Sequence, residues 1–471
     1  MIRPLFTSLF LFTVILNADA QLSLNSYFQD HMIFQRNDTT IISGKAAPSS
    51  TVELTFSRGS QTQTTSADEQ GNFAIPFEPG AEGGPFSITL KNKNATIKLS
   101  DILVGDVWLC SGQSNMEWKP ENGITKGSDI VAKTSNDNIR WITIQRNASS
   151  ELQSEINGKW ETCSPNTNTR VSAVAFFYAR MLQDSLKIPI GLVSSSWGGT
   201  KAEQWMDEAS LKADNRFKSL LADYKTGVKN EMLNPFSTAL YNGMIHPLID
   251  KAITGVIWYQ GESNAGNPLL YADLFPALIE NWRAKWKSTF PFYFVQLASY
   301  RYGEPIYAAM TREAQKKALD RAINTGMAVT MDIGDLNDIH PQNKQDVGER
   351  LALQALQKHY GENNIQADGP VLDEWLINER KMIMTFKNMN FNSDYFAPLN
   401  GFTVAGEDGK FMKANAYIQG NQVIVDSPYV NQPKHVRFGY EEELILNFVN
   451  EKGLPASPFR TDDIQMELPP K

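Results

Sequence analysis

Cysteine is scarce in this 471-residue chain, with Cys110 and Cys163 the two present. Two thiols exclude the disulfide framework on which small exported domains rely, and they stand either as one bridge or as a pair of free thiols. Cys110 lies in an apolar run and reads as a small buried hydrophobe. Histidine is scarce too: His31, His246, His340, His359 and His435 are scattered without zinc-ligand spacing, so no metal site is expected. An excess of positive charge is missing. The formal net charge of −8 argues against nucleic acid or another polyanion as the main partner and leaves a local basic pocket open. No block of like charges and no low-complexity tract occurs, which removes the grounds for a disordered interaction tail. What the chain does have is 42% hydrophobic content against 20% charged residues, enough apolar material for a large core spread over two or three domains.

One apolar stretch stands out, at the start. Arg3 precedes an apolar run from Leu5 to Leu16, and Ala18-Asp19-Ala20 follows. That order predicts a secretory signal peptide cleaved after Ala20, hence a secreted or periplasmic protein with no membrane span after cleavage. No cysteine follows the expected cleavage site, so no lipid attachment is expected. Asn37, Asn94 and Asn147 head Asn-x-Ser/Thr sequons, which matter only in a host that glycosylates exported proteins.

Beyond the leader the texture changes twice. Residues 21–101 show short alternating stretches ("TTIISGKA", "STVELTFS", "GNFAIPFEP", "FSITLKN") separated by Gly, Pro, Asn and Asp, the pattern of a small β-sandwich. From 102 to 369 apolar strand-like runs ("DVWLC", "PIGLVSSS", "GVIWYQ", "PFYFVQL", "MAVTMDI") alternate with helical stretches ("SAVAFFYARMLQDSL", "YADLFPALIENWRAKW", "AAMTREAQKKALDRAI", "QDVGERLALQALQKHY"). This alternation predicts an α/β region with a mostly parallel sheet and helices on both faces. Residues 370–471 return to β texture ("KMIMTFKN", "GFTVAG", "NQVIVDS") and are read as a second β region.

In open α/β sheets reactive groups collect beyond the carboxyl ends of the strands. "VWLCSGQSNMEW", residues 107–118, sets an apolar strand directly against a turn that carries Ser114. A serine there can aim its hydroxyl and its own N–H at one small volume, as a nucleophile with part of an oxyanion hole requires, or it can simply cap the next helix. Three later strand ends tip the balance. "IPIGLVSSSWGGT" ends in Trp197-Gly198-Gly199-Thr200, "GVIWYQGESNA" in Gln260, Glu262, Ser263 and Asn264, and "MAVTMDIGDLNDIHP" leads to Asp335, Asn337, Asp338 and His340. Four polar or glycine clusters at successive strand ends would be four coincidences on a purely structural reading.

"SGQSNM", "WGGTKAEQW", "WYQGESNA", "DIHPQNK" and "GLPASPFRTD" resemble the sialate O-acetylesterase branch of the SGNH (GDSL-like) hydrolases, over nearly the whole chain beyond the leader. The resemblance implies a flavodoxin-like three-layer catalytic domain, no cofactor, Ser114 as nucleophile and His340 as general base. It also implies an oxyanion hole drawn from the first block (Gln113, Ser114), Gly199 and the "QGESN" block. Two departures stand out. Most members have Asp-x-x-His, but the residue three before His340 is Asn337, so the orienting carboxylate is Asp338, Asp335 or none, with Asp338 favoured. The usual third-block asparagine is replaced by Gln260 or Asn264, with Gln260 favoured for its place at the strand end.

The implied chemistry is removal of O-acetyl groups from a sugar by double displacement. O-acetylated sialic acids are the foremost substrates, with acetylxylan or another glycan as the alternative. Lys201 and Arg301 are candidate cations for a sialate carboxylate, or ordinary solvated charges. Trp118, Trp197 and Trp205 are candidates for stacking on sugar faces, with at least one expected in the core. Glu262 reads as a structural carboxylate bonding loop amides, and His246, in apolar surroundings, as packing or lining. The rival readings are a non-catalytic carbohydrate-binding protein on a hydrolase fold and, more weakly, a thioesterase or lipase.

Overall fold

The computed structural model describes residues 21–59, 61–221, 236–303, 305–440 and 444–466. The expected signal peptide, residues 1–20, lies outside them.

One long strand organises the chain. Numbering only the central sheet, β1 (Thr96–Gly112) is partly exposed over its first residues and buried at every position from Ile102 onward. Its first half pairs antiparallel with Gly83–Lys91 and parallel with Ile33–Gln35. The central sheet continues through β2 (Asn136–Thr143), β3 (Trp160–Cys163), β4 (Ile190–Ser196), β5 (Gly255–Tyr259), β6 (Phe292–Val295) and β7 (Thr325–Ala328), in the order β3-β2-β4-β1-β5-β6-β7. Neighbours along that path are parallel except β3 and β2, and the antiparallel strands joined to β1 make the whole sheet mixed.

Because side chains alternate along a strand, the two faces of β1 feed two cores. Trp108 and Cys110 pack with helices α1 (Ala173–Leu186) and α4 (Lys344–Lys358). Val107 and Leu109 share a core with α2 (Pro268–Trp286) and with Ala314 and Ala318 of α3 (Pro305–Arg321). The stripe on α2 shows why it sits there: Tyr271, Leu274, Phe275, Leu278, Ile279 and Trp282 recur at helical spacing and are all buried. Each such side chain contributes about 1.5–3 kcal/mol on burial. Capping sets the starts: the Ser172 hydroxyl accepts the Ala175 N–H at 3.2 Å before α1, and the Asn343 side chain accepts the Asp346 N–H at 3.2 Å at the start of α4.

In the N-terminal region Ile42, Phe73, Ile75 and Phe77 of one sheet meet Val52, Leu54, Phe56 and Ile88 of another, and this core runs unbroken into Val107 and Leu109. The boundary expected at 101/102 therefore falls inside one continuous strand and one core. The C-terminal region pairs a five-stranded with a four-stranded sheet, and its core takes in Met331 from the segment after β7. That segment was expected as strand through Ile333, but β7 ends at Ala328. Cys110 and Cys163 are both free and buried. Among the described residues no helix is long and apolar enough to cross a membrane.

Candidate active site

β1 ends at Gly112, where φ is +136° and a Cβ would stand 2.1 Å from the Tyr259 carbonyl oxygen, so only glycine fits. The Gln113 N–H donates to that carbonyl at 2.9 Å, and Ser114–Glu117 then form one helical turn whose Met116 and Glu117 N–H groups donate to Gln113 O. Ser114 opens the turn, where a backbone N–H has no intrahelical acceptor. Its Oγ lies 2.9 Å from His340 Nε2.

His340 sits near the end of the segment 329–343, which links β7 to α4. Its ring stacks on Trp118 with centroids 5.0 Å apart and planes 21° apart. Burial first, then the nearby Lys344 charge, hold its pKa below the usual histidine value, while Asp338 pulls the other way. Asp338 Oδ1 accepts the backbone N–H of His340 at 2.8 Å and stands 3.7 Å from Nδ1, beyond hydrogen-bond reach of the ring. It is the carboxylate within 4 Å of the imidazole among the described residues. Asp335 instead accepts the Asn337 N–H at 2.8 Å, and Arg301 donates to the Asn337 side chain.

The Trp197–Thr200 turn leans on the nucleophile: a Cβ on Gly198 would stand 3.1 Å from Ser114 Cβ. The Gly198 N–H is taken by Glu117 Oε2 at 2.8 Å. Glu117 also accepts two hydrogen bonds from Arg146, at 2.8 and 2.7 Å, and the guanidinium lies 5.4 Å over Trp197. With Gly198 spoken for, Gly199, at φ +75° in open space, is the next donor along the turn. The "QGESN" amides face inward. Gln260 Nε2 donates to Thr200 O at 3.2 Å and Asn264 Oδ1 at 2.6 Å, while Asn264 Nδ2 donates to Glu203 Oε2 at 2.9 Å. Both tie down the loop after Gly199. Gln113 Oε1 accepts the Ser263 N–H at 3.3 Å.

Sequence reasoning gave no role to four residues that complete this geometry: Asn115, Glu117, Arg146 and Lys344. Asn115 Nδ2 donates to Glu262 Oε1 at 2.5 Å and to the Ile339 carbonyl at 3.0 Å, and its Oδ1 accepts from Lys344 Nζ at 2.5 Å. The usable signal for Lys344 was its place in "DIHPQNK", a lysine opening a helix, where the dipole disfavours a cation. Glu262 accepts the Asn115 side-chain amide, and burial pushes its pKa above the usual range. Trp205 is fully buried. Lys201 and Arg301 are exposed, and His246 bonds the Gln153 carbonyl at 2.7 Å. Among the described residues no group of acidic, histidine and cysteine side chains is arranged to hold a metal. The chemistry available is a serine hydroxyl against a histidine, with backbone N–H donors beside it.

The profile of the family described as "Carbohydrate esterase, sialic acid-specific acetylesterase" matches residues 104–357, and that of "Bacterial Ig domain" matches residues 32–100. The sialate O-acetylesterase of Rattus norvegicus is 34% identical over 406 residues, 74% of this chain and 75% of that protein. Its Homo sapiens counterpart is 34% identical over 385 residues, 74% of this chain and 72% of that one. The crystal structure of a carbohydrate acetylesterase from Xanthomonas citri superposes with a TM-score of 0.84 at 35% identity, covering 94% of this chain and 100% of that one.

Proposed function

This chain belongs to the sialic acid-specific acetylesterase family of carbohydrate esterases, and from that membership we propose that it removes O-acetyl groups from acetylated sugars, O-acetylated sialic acids foremost, by serine double displacement. The observation that carries the mechanism is the 2.9 Å contact between Ser114 Oγ and His340 Nε2 at the carboxyl end of β1. His340 takes the Ser114 proton as Oγ attacks the acetyl carbonyl. The N–H groups of Ser114 and Gly199 receive the oxyanion, joined by the Gln260 or Asn264 amide. Gln260 Nε2 already serves two acceptors, the Thr200 carbonyl and Asn264 Oδ1, and must give one up, whereas Asn264 Nδ2 gives one of its two N–H groups to Glu203. Asp338, 3.7 Å from Nδ1, stabilises the imidazolium. His340 returns the proton to the departing sugar alcohol. It then deprotonates a water that attacks the acetyl-serine carbonyl, and it hands that proton to the departing Ser114 Oγ, which releases acetate; no cofactor enters.

We read the sheet as flavodoxin-like. Leaving aside β2 and β3, the order β4-β1-β5-β6-β7 has the form 2-1-3-4-5, with the topological switch at β1, where such folds bind ligands. We assign residues 102–369 to the catalytic region and 21–101 and 370–471 to flanking β regions. Export through the leader-like residues 1–20 remains part of the proposal.

The sialate preference rests on the names of the relatives and of the family. The test is acetate release from acetylated sialic acids, acetylated xylo-oligosaccharides and a chromogenic acetyl ester, by wild type and Ser114→Ala. Release from the sialic acids that disappears in the variant is the expected result. Turnover of the xylo-oligosaccharides alone would move the substrate to the alternative, and a Ser114→Ala protein as active as wild type would overturn the mechanism.

A further inference from the structure

We propose that Lys344 is a positioning residue of this esterase: a buried ammonium that locks the Asn115 amide, through which it holds the His340 segment against the Ser114 turn. The inference rests on the Ser114–His340 reading above.

Lys344 is fully buried at the first position of α4, where the helix dipole disfavours a cation. Burying a charge there is costly unless something nearby needs it. The side chain reaches Asn115 Oδ1 at 2.5 Å and stands 5.6 Å from the ring centroids of both Trp118 and Tyr259. Trp118 is the ring on which His340 stacks.

Asn115 follows the nucleophile in the chain, and Ile339, whose carbonyl it binds at 3.0 Å, precedes the base. One amide therefore bridges both halves of the dyad. Lys344 is a donor and can meet only the amide oxygen, so the NH2 end must face the two acceptors, Ile339 O and Glu262 Oε1. Without the ammonium Asn115 Oδ1 loses its donor, and the amide is held from its NH2 end alone.

The charges around His340 are few. Asp338 lies on its own segment, Lys344 on α4, and Glu262 at the end of β5 across Asn115, its Oε2 sealed from solvent with no partner in the described structure. Glu117, on the Ser114 turn, is occupied by Arg146 and Gly198. A base must be unprotonated to accept the Ser114 proton, and a nearby cation favours that state. Burial itself pulls the Lys344 pKa down to about 7, opposed by Glu262 and Asp338, so over the acid range where His340 titrates the ammonium stays charged.

The experiment compares Lys344→Met, Asn115→Ala and Asp338→Asn with wild type on a chromogenic acetyl ester, following kcat, KM, the pH profile of kcat/KM and the melting temperature. Lys344→Met is expected to lower kcat by about tenfold or more with KM changed less than about threefold. Its acid limb should move to higher pH, because the cation that opposes imidazole protonation is gone. Asp338→Asn should move the limb to lower pH. Asn115→Ala introduces no change of charge, so it should lower kcat and leave the limb in place. The inference is overturned if folded Lys344→Met keeps wild-type kcat with an unmoved limb. Should that variant fail to fold, an Asn115→Ala protein with wild-type kcat overturns it instead. Ser114→Ala separates the two levels: full activity there removes the dyad and this inference with it, whereas loss there beside an unaffected Lys344→Met removes the inference alone.

Discussion

Ser114 and His340 reach their 2.9 Å contact from two sides that are built differently. The nucleophile side is held mainly by main chain. β1 is hydrogen-bonded to parallel strands on both edges up to Gly112, Gln113 N–H continues the pairing onto Tyr259, and Trp197 N–H donates to Gly112 O at 3.1 Å. The base side is held mainly by side chains. Arg350 grips Asp332 at 2.7 and 2.6 Å and the Val329 carbonyl at 2.7 Å, Ser299 Oγ holds Met331 O at 3.0 Å, and Asn115 holds Ile339 O. The C-terminal region adds a backbone bond, Leu446 N–H to Met331 O at 3.2 Å, and buries the Met331 side chain. A ladder shares its load among many bonds that no single substitution removes, whereas a loop pinned by a few side chains can be loosened by one. The nucleophile side borrows the same device in places, as where Glu117 grips the Gly198 N–H and Gln113 Oε1 accepts the Ser263 N–H.

The largest effect is expected where the two sides meet. Ser114→Ala or His340→Ala should lower kcat/KM by about 10⁴-fold or more, with the double variant scarcely worse than either single one, because the pair acts as a unit. A double variant that multiplies the losses would mean the two residues do not work on one proton. Next comes a matched pair of substitutions. Arg350→Met, on the base side, leaves Asp332 partly buried without its cation and should cost about 3–5 kcal/mol of stability while lowering kcat about tenfold. Ser111→Ala, on the nucleophile side, removes only the hydroxyl bond to Ser195 O and should cost about 1 kcal/mol with kcat within about twofold. Thermal melts and initial rates decide, and equal losses of kcat would break the contrast.

A smaller effect concerns pH. Burial and Lys344 depress the His340 pKa, so the protonated, inactive base appears only at acidity stronger than an ordinary histidine requires. The acid limb of kcat/KM is therefore expected below pH 6.5, and a limb above it would mean that Asp338 outweighs those two causes. The smallest effect is expected from Lys201→Ala. Lys201 is exposed, and its loss should change kcat on a chromogenic acetyl ester by less than about twofold. A selective rise in KM for a sialate substrate would instead give it the carboxylate.

Much of the architecture was legible because its signals are local. The helix expected over "SAVAFFYARMLQDSL" forms at Ala173–Leu186, and "QDVGERLALQALQKHY" lies within and just beyond Lys344–Lys358. The β textures of the two flanks likewise became strands, such as Thr51–Phe56 and Gln422–Asp426. Texture and backbone part company in two places: the pattern changes at 102 while one strand, β1, runs straight through and serves both regions. "MAVTMDI" reads as one apolar run, yet its second half leaves the sheet so that Met331 can enter the C-terminal core.

The sequence by itself determined which segments form strands and helices, and that serine, glycine, amide and histidine groups stand at four strand ends, since periodicity and turn chemistry act within a few residues. Motif resemblance then picked out Ser114 and His340. Only the tertiary structure decided that Asp338 bonds the His340 backbone before its ring, that the Gln260 and Asn264 amides are tied to the neighbouring loop, and that Glu117 takes the Gly198 N–H. It alone brought Lys344 to Asn115 across 229 residues of chain. The physical reason is shared: polar groups wholly or partly withdrawn from water bond the acceptors or donors that packing brings within about 3 Å, and packing is a property of the whole fold.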